Sequence, residues 1–206
     1  MEERRDVWDF WAPRYEGLWA QRYSLGPSRR LIHDHLDTVA PDASRILDVG
    51  CGVGQLAQEL ARRRPGCEIT GCDASPDMIR RAQQDYTAPN LAYHIGPVER
   101  MERGSGFDVI VCTHAFPYFP DKPASMAAMA ALLRPGGRLL IIQANTENRY
   151  DHVWLLIVRL TTTPSRYLSA AGLHGLMSAA GLTPGVVRSV HKPRWIPSIQ
   201  LVEGIR

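Results

Sequence analysis

The stretch that decides the fold is RILDVGCGVGQLAQEL, residues 45–60. Residues 46–49 are apolar apart from one acid, three glycines then alternate with other residues, and apolar residues at helical spacing follow. This order predicts a strand, a glycine-rich turn and a helix. Glycine has no Cβ, so the backbone of the turn can approach a ligand closely, and the first free N–H groups of the helix point towards it. We therefore expect a polar or negatively charged ligand group near this turn.

The spacing of the glycines distinguishes two kinds of nucleotide-binding turn. The dinucleotide fingerprint needs a small last residue at position 55, where this chain has Gln55. A nicotinamide-dependent oxidoreductase is therefore disfavoured. The chain instead carries Asp48, Gly50, Gly52 and Gly54 in the order D-x-G-x-G-x-G. This order resembles the first motif of the class I S-adenosylmethionine-dependent methyltransferases that act on small molecules.

Three further segments strengthen the resemblance, and they follow in the family's order. They are GCDASPDMIRRA at 71–82, FDVIVCTHAFPYFPD at 107–121 and LLRPGGRLLII at 132–142. Together the four segments cover roughly residues 40–145. The resemblance implies a doubly wound α/β fold, a mostly parallel seven-stranded Rossmann-like methyltransferase sheet with an N-terminal helical lid. It also implies S-adenosylmethionine as cofactor and S-adenosylhomocysteine as product.

The order of the predicted elements leads to the same architecture. Strands alternate with helices through the first 145 residues, which requires right-handed crossovers and a mainly parallel sheet. Predicted strands at 186–190 and 199–205 would supply the antiparallel strand that the family adds. We predict one domain over 1–206, with a lid at 1–40, a cofactor-binding core at 41–145 and a substrate side with the last strands at 146–206.

Two helices have identifiable ends in the sequence. Ser28 is a candidate cap for a helix at 28–40, which closes before Pro41. An amphipathic pattern at 167–180 predicts another helix, with Gly181 as the residue that ends it.

Asp73 is the clearest candidate for a contact with the cofactor sugar. It stands at the end of the second strand, roughly 20 residues beyond the glycine turn, where an acid in nucleotide-binding sheets accepts hydrogen bonds from ribose. Its alternative role is to cap the next helix, but Ser75 suits that task. The resemblance further implies that Met78 contacts adenine, although a core methionine is the alternative. It also implies that Asp48 faces the methionine ammonium and that the glycine-turn N–H groups face its carboxylate.

The segment after the third strand departs from the family pattern. The family has an acid that binds the adenine amino group, but this chain has Pro97, which offers neither a carboxylate nor an N–H. Adenine recognition at this edge must then come from the Val98 backbone, from Glu99 or from water.

The end of the fourth strand should face the acceptor. Thr113 and His114 stand there, and His114 is a candidate general base, with a packing or methionine-contact role as the alternative. The family often has a histidine three positions further on, where this chain has Pro117. The resemblance also places Trp11 and Tyr15 in the lid, with Tyr15 near the sulfonium as a second catalytic candidate. These aromatic residues could instead simply plug the open side of the domain.

The predicted site therefore has two catalytic candidates and a larger set of cofactor contacts. The catalytic candidates are His114 and Tyr15. The cofactor contacts are Trp11, Asp48, Gly50, Cys51, Gly52, Gly54, Asp73, Ala74, Met78, Pro97, Val98, Glu99 and Thr113. No metal is expected, because the four cysteines show neither a C-x-x-C pair nor histidines at zinc-like spacing.

The expected activity is methylation of a small organic acceptor. A hydroxyl of a natural-product or quinone-like molecule is favoured, and a small amine is the alternative; a non-catalytic S-adenosylmethionine-binding module is the alternative from another class. A hydroxyl acceptor would need a base to take its proton, whereas a neutral amine or thiolate would not. The apolar segment 151–160 could cover the pocket or meet a lipidic substrate.

Charge and hydropathy limit the partners. The net charge of +3 is small and the basic residues are scattered, so no nucleic acid is expected. The basic aromatic turn around His191 and Trp195 is interpreted as a solvent-exposed loop. The alternative is that it binds an acidic acceptor. No run approaches the roughly 18 apolar residues that span a bilayer. We expect a cytoplasmic protein without stable membrane insertion, and a homodimer stays open.

Overall fold

The computed structural model describes residues 21–102, 106–161, 165–191, 193 and 195–206. The strands are β1 (Arg45–Val49), β2 (Glu68–Asp73), β3 (Leu91–Ile95), β4 (Phe107–Thr113), β5 (Leu133–Ala144), β6 (Thr183–Ser189) and β7 (Ile199–Ile205). The α-helices are α1 (Gly26–Val39), α2 (Gln55–Arg63), α3 (Pro76–Asp85), α4 (Lys122–Leu132), α5 (Arg149–Thr161) and α6 (Ala170–Ala179). A π-helical turn, Gln21–Leu25, precedes α1, and short 3-10 turns occupy Val98–Arg100 and Phe116–Tyr118.

The strands form one seven-stranded sheet in the order β3-β2-β1-β4-β5-β7-β6. Neighbouring strands from β3 across to β5 are parallel, and β7 lies antiparallel between β5 and β6. The predicted seven-stranded, mostly parallel sheet is therefore confirmed. Residues 186–205 contribute to the terminal hairpin as expected, since β6 and β7 pair directly.

The core lies on both faces of the sheet, because strand side chains alternate in direction. Leu139 and Ile141 of β5 belong to one buried cluster, with side chains of α4 and α6. Leu140 and Ile142 belong to the other, with side chains of α1 and α2. Strands covered on both faces have near-continuous apolar sequences, which is why residues 107–112 and 139–142 read as unbroken apolar runs apart from Asp108.

Asp108 has a structural role in the otherwise apolar strand β4. Its buried carboxylate accepts hydrogen bonds from the backbone N–H groups of Ser44 at 2.6 Å and Arg45 at 2.8 Å, and it also pairs with Arg134. A buried charge is tolerated when it is paired and hydrogen-bonded. Asp108 thereby fixes the start of β1 against β4.

Two predicted helix starts were wrong. Helix α1 begins at Gly26 with Leu25 as its N-cap residue, so Ser28 lies inside the first turn and is not the cap. Pro27 accounts for the difference, because proline fits the first helical turn. The helix predicted over 167–180 begins only at Ala170, because the Ser169 hydroxyl caps it by accepting from the Gly172 N–H at 3.1 Å. Its predicted end is confirmed: Gly181 follows Ala180 with φ at +82°.

The lid is only partly covered by the described residues. Trp11 and Tyr15 lie outside them, so their predicted roles stay predictions. In the described part of the chain, no helix combines the length and the hydropathy that crossing a bilayer requires.

Candidate functional site

The carboxyl ends of β1, β2 and β4 border a cavity of about 610 Å³. Such a volume suits a ligand of nucleoside size, since small-molecule pockets measure roughly 300–1,000 Å³. Ten of the residues predicted from sequence line it. They are Gly50, Gly52, Asp73, Ala74, Met78, Pro97, Val98, Glu99, Thr113 and His114.

The glycine turn has the backbone geometry that only glycine adopts easily. Gly50, Gly52 and Gly54 have φ values of +70°, +54° and +86°. A Cβ on Gly50 would overlap the Cβ of Ala115 in the loop after β4. The turn and that loop can therefore approach each other closely at the floor of the cavity.

Most N–H groups of the turn already donate within the chain. Gly50 and Cys51 both donate to the Cys72 carbonyl, at 2.8 and 3.0 Å, and Gly54 donates to the Cys51 carbonyl at 3.0 Å. Gly52 donates to the Asp73 carboxylate at 2.9 Å. These four groups are thus less available to a ligand carboxylate than the sequence suggested.

Asp73 links the glycine turn to the start of α3. Its second carboxylate oxygen accepts from the Ser75 N–H at 2.9 Å, while the Ser75 hydroxyl accepts from the Met78 N–H at 3.2 Å and caps the helix. The capping role that competed with the ribose role for Asp73 therefore falls to Ser75. Both Asp73 oxygens are held by backbone donors, which orients the carboxylate at the cavity wall.

Asp48 lies beside the main cavity rather than in its lining. It is 2% exposed and borders a small adjoining cavity of about 50 Å³, together with Arg29, Cys51 and Gln55. Gly50, Gly52 and Thr113 line both cavities, so the two spaces are neighbours. The predicted cofactor contacts Asp48 and Cys51 therefore occupy the side of the turn that faces α1.

Burial raises the pKa of the Asp48 carboxyl to about 7, and the negative charge of Asp73 adds to this effect. A hydrogen bond from the Ala57 N–H and the positive charge of Arg29 act in the opposite direction. Asp48 is thus poised to change its charge near neutral pH. A cation in the small cavity would stabilise the ionised form.

Arg29 is a site residue that the sequence did not reveal. Its guanidinium donates to Glu59 at 2.9 Å through Nε and to Gln55 at 3.3 Å through Nη1. His33 also hydrogen-bonds Glu59, at 3.1 Å. Arg29 lies on a helix outside the four motif segments, so its proximity to the glycine turn depends on how α1 packs across α2.

The far wall of the cavity contains the departure from the family pattern. Pro97, Val98 and Glu99 all line it, and Val98 is buried. The Ser125 hydroxyl of α4 donates a short hydrogen bond to the Glu99 carboxylate. Glu99 is the acidic residue nearest in sequence to Pro97, the position where the family has its adenine-binding acid. Met78, 2% exposed, also lines the cavity, and its sulfur would lie 4.0 Å from a Cβ on Gly52.

His114 has an unusual backbone and a buried ring contact. Its φ is +58°, the only positive value at a non-glycine residue in the described part of the chain. Its N–H donates to the Ile142 carbonyl at 2.7 Å, and its Nε2 lies 2.8 Å from the Ser28 hydroxyl. Burial, with a smaller effect from the charge of Arg29, lowers the pKa of His114 to about 4. The imidazole is therefore neutral at neutral pH.

The loop after β4 is held in place by a buried lysine. Lys122 donates to the carbonyls of Pro117 at 2.8 Å and Phe119 at 3.0 Å. The hydroxyls of Tyr118 and Tyr167 lie 3.2 Å apart, which ties the segment before α6 to the same loop. Tyr118 and Phe119 line the main cavity, although the sequence did not single them out as site residues.

No metal centre accompanies the site in the part of the chain that the structure describes. Its histidines, cysteines and carboxylates form no group of three or more that could hold an ion. The arrangement instead offers a backbone cradle, oriented carboxylates and one neutral imidazole.

Comparison with known proteins supports a single family. A family model described as a methyltransferase domain matches residues 18–186. The chain is 31% identical over 181 residues to the biotin biosynthesis bifunctional protein BioCD of Bordetella avium, covering 86% of this chain and 37% of that protein. It is 32% identical over 163 residues to the ubiquinone biosynthesis O-methyltransferase of Xylella fastidiosa, covering 75% of this chain and 64% of that enzyme.

Solved structures share the fold. The methyltransferase found in complex with the Haloferax volcanii Trm112 methyltransferase activator superimposes with a TM-score of 0.81 at 20% identity, covering 98% of this chain and 99% of that one. The chain spans only 37% and 64% of the two curated relatives' lengths. The match over residues 18–186 nevertheless covers most of the chain, including the glycine turn and the whole cavity wall. The chain therefore belongs to the class I S-adenosylmethionine-dependent methyltransferase family, and its cofactor is S-adenosylmethionine.

Proposed function

We propose that the protein transfers the methyl group of S-adenosylmethionine to a hydroxyl of a small organic acceptor of the natural-product or quinone-like kind. The observation that carries the proposal is the neutral imidazole of His114 at the end of β4, where it lines the main cavity beside the glycine turn. The Xylella relative is a ubiquinone biosynthesis O-methyltransferase, which supports oxygen as the methylated atom.

The residues of the cavity fit the donor. At Gly52 an added Cβ would have no neighbour nearer than the Met78 sulfur at 4.0 Å, so a ligand can approach the backbone closely there. The oriented Asp73 carboxylate suits the ribose hydroxyls. Met78 and Val98 offer apolar surface for adenine, with Glu99 as the acid at its edge. Asp48 and Arg29 both border the small adjoining cavity, where Asp48 would face the ammonium of the methionine part and Arg29, which also pairs with Glu59, its carboxylate.

The protein's share of the chemistry is mainly orientation and proton transfer. When bound, the cofactor supplies an activated methyl group, and its sulfur retains the electron pair of the broken C–S bond. His114 takes the proton of the acceptor hydroxyl while the oxygen lone pair forms the new O–C bond. The oxygen becomes positively charged as this bond forms and its proton becomes acidic, so even a weak base can accept it. Holding the reactants in line supplies roughly 7–11 kcal/mol in favourable cases.

A panel of acceptors tests the proposal. The purified chain would be incubated with S-adenosylmethionine and catechol, hydroquinone or an isoprenoid-substituted quinol, and in parallel with histamine or ethanolamine. We expect S-adenosylhomocysteine to form with the hydroxyl compounds, O-methylated products in mass spectrometry and a large loss of turnover in His114→Asn with cofactor affinity retained. Methyl transfer to the amines alone would identify an N-methyltransferase, and tight cofactor binding with no turnover would identify a non-catalytic binding module.

The assembly of the protein is a second part of the proposal. The Haloferax neighbour is complexed with an activator protein, and a homodimer is the simplest assembly for this chain. We propose the homodimer first. Light scattering of the purified chain would test it, and a monomer that gains activity with an activator protein would replace it.

A further inference from the structure

The Ser28 hydroxyl makes two hydrogen bonds in a fully buried position. Ser28 is 0% exposed. Its Oγ lies 2.8 Å from the Ser24 carbonyl oxygen in the π-helical turn before α1. The same Oγ lies 2.8 Å from Nε2 of His114. A single hydroxyl therefore joins the first turn of α1 to the end of β4.

The chemistry of the three groups fixes the direction of both hydrogen bonds. A carbonyl oxygen can only accept, so the single Ser28 proton must point to Ser24. The Ser28 oxygen is then an acceptor towards His114, and Nε2 must carry the ring proton. A neutral imidazole has one N–H, so its other nitrogen, Nδ1, carries the lone pair.

The backbone of His114 is held independently of the ring. Its N–H is bound to the Ile142 carbonyl of β5 at 2.7 Å, in a left-handed conformation with φ at +58°. Non-glycine residues keep such a conformation only where the surroundings enforce it, often at functional sites. Strand β5 therefore fixes the backbone position of His114. Ser28 fixes which edge of the imidazole ring faces α1.

The electrostatic surroundings keep the ring neutral. Arg29 is the next residue after Ser28, and its positive charge together with burial disfavours the imidazolium. With Nε2 occupied by Ser28, the Nδ1 edge is the part of the ring left to act on a ligand in the cavity that His114 lines.

We propose that Ser28 is a positioning residue, which holds His114 as the Nε2–H tautomer and leaves Nδ1 as the nitrogen that takes the acceptor proton. The last step rests on the proposed O-methyltransferase function. The tautomer assignment does not, because it follows from the contacts of Ser28 alone. Ser28 itself touches neither the cofactor nor the acceptor in this assignment.

Nitrogen NMR of the ligand-free full chain with ¹⁵N-labelled histidine tests the tautomer directly. The signals of His114 would be assigned as those lost in His114→Asn. At pH 7 we expect Nε2 to bear the proton and Nδ1 to be bare, with no tautomer mixture. In Ser28→Ala we expect the exchange of the Nε2 proton with water to accelerate at least tenfold, while the signals of the other six histidines stay in place.

Two results would overturn the proposal: a proton on Nδ1 in the wild-type chain, or unchanged Nε2 exchange in Ser28→Ala. Ser28→Thr keeps the hydroxyl and should retain slow exchange. It serves as the matched variant, and the wild-type spectrum decides the tautomer even if Ser28→Ala fails to fold.

Kinetics separate this proposal from the proposed function. With the phenol that the panel turns over fastest, Ser28→Ala should lower kcat about tenfold with the KM for S-adenosylmethionine unchanged. The same substitution should have no further effect in the His114→Asn background. Full turnover in His114→Asn would remove the base role while the tautomer stands, whereas additive losses in the double variant would show that Ser28 does not act through His114.

Discussion

The pKa of the Asp48 carboxyl is raised by burial and would be lowered by a cation bound beside it. Burial raises its pKa to about 7, so the free protein carries both neutral and ionised Asp48 near neutral pH. A methionine ammonium beside it would require the ionised form. Proton release from Asp48 should therefore accompany cofactor binding below this pKa.

The affinity for S-adenosylhomocysteine should therefore depend on pH through Asp48. We expect it to rise by up to about tenfold per pH unit below pH 7 and to level off above it. Calorimetry between pH 5.5 and 8 would measure this, with Asp48→Asn as the variant expected to lose the slope. A wild-type affinity independent of pH would contradict the ammonium assignment.

Asp48 should also make folding stability depend on pH. Its pKa is raised in the folded state, so its contribution is fully present below the unfolded value near 3.8 and is lost as pH rises through about 7. Asp48→Asn should therefore melt at a higher temperature than the wild type at pH 8 and should show a smaller difference at pH 5, where less of the contribution has been lost. A thermal melt at both pH values checks this.

Asp73 supports the ribose assignment by its geometry. We expect Asp73→Ala to weaken S-adenosylhomocysteine binding by about 1–3 kcal/mol, the loss of charge-assisted hydrogen bonds. Asp77→Ala is the matched control, because Asp77 is an acid in the first turn of α3 that pairs with Arg80 and lies outside the cavity lining. Equal calorimetric affinities for the two variants would count against the ribose role.

At the scale of elements, the turn that connects β1 to α2 requires glycine at position 54, because the neighbouring residues leave no room for a side chain there. Gly54 has φ at +86°, and a Cβ there would lie 2.5 Å from the Tyr93 hydroxyl and 3.0 Å from the Ala82 Cβ. Tyr93 of β3 therefore packs directly beneath the glycine turn. The start of α2 therefore packs directly against β3 and α3 at Gly54.

Gly54→Ala should destabilise the protein by about 1–3 kcal/mol, because it adds left-handed strain to this steric conflict. Gly175→Ala serves as the control, because its expected effect on stability has the opposite sign. Gly175 lies inside α6 with no atom within 4 Å of an added Cβ, so alanine should stabilise by about 0.5–1 kcal/mol. Chemical denaturation measures both changes, and a neutral Gly54→Ala would show that the turn can rearrange.

At the scale of the whole molecule, one buried carboxylate joins several elements on the far side of the sheet. Glu203 of β7 is 2% exposed, pairs with Arg138 of β5 at 2.6 Å and lies 3.4 Å from His35 of α1. Burial alone would raise the pKa of Glu203, but the neighbouring His35 and the hydrogen bond from Arg138 outweigh it and lower the pKa to about 2. This cluster anchors the end of α1 whose beginning carries Ser28 and Arg29.

Glu203→Gln should destabilise the protein by about 1–3 kcal/mol at pH 7, since it removes the buried negative charge that pairs with the partly exposed Arg138. Glu68→Gln removes an exposed pair with Arg45 and should cost less than about 1 kcal/mol. The Glu203 pKa is lowered, so its stabilisation is present above the unfolded value near 4.5 and disappears as pH falls through about 2. Urea unfolding at pH 7 and pH 3 should show the gap between wild type and variant narrowing with acid.

The order of elements and much of the site lining could be predicted from the sequence. The strand Ile199–Ile205 matches its predicted bounds, since apolar periodicity and turn residues are local signals. The cofactor residues follow strand ends, and parallel strands bring their carboxyl ends to one edge. The division of the chain at residues 40 and 145 stays a prediction.

By itself the sequence determined the seven-stranded sheet, the glycine turn and the position of Asp73. These features depend on apolar periodicity and on the backbone freedom of glycine, which are both properties of residues close together in the chain. Only the tertiary structure decided that Ser28 binds His114 across 86 residues and that Arg29 lies beside Asp48. Those contacts arise from how α1 packs on the sheet, and packing depends on the shapes of surfaces that are distant in the chain. The chemistry proposed for His114 therefore depends on a helix whose pattern alone indicated only burial.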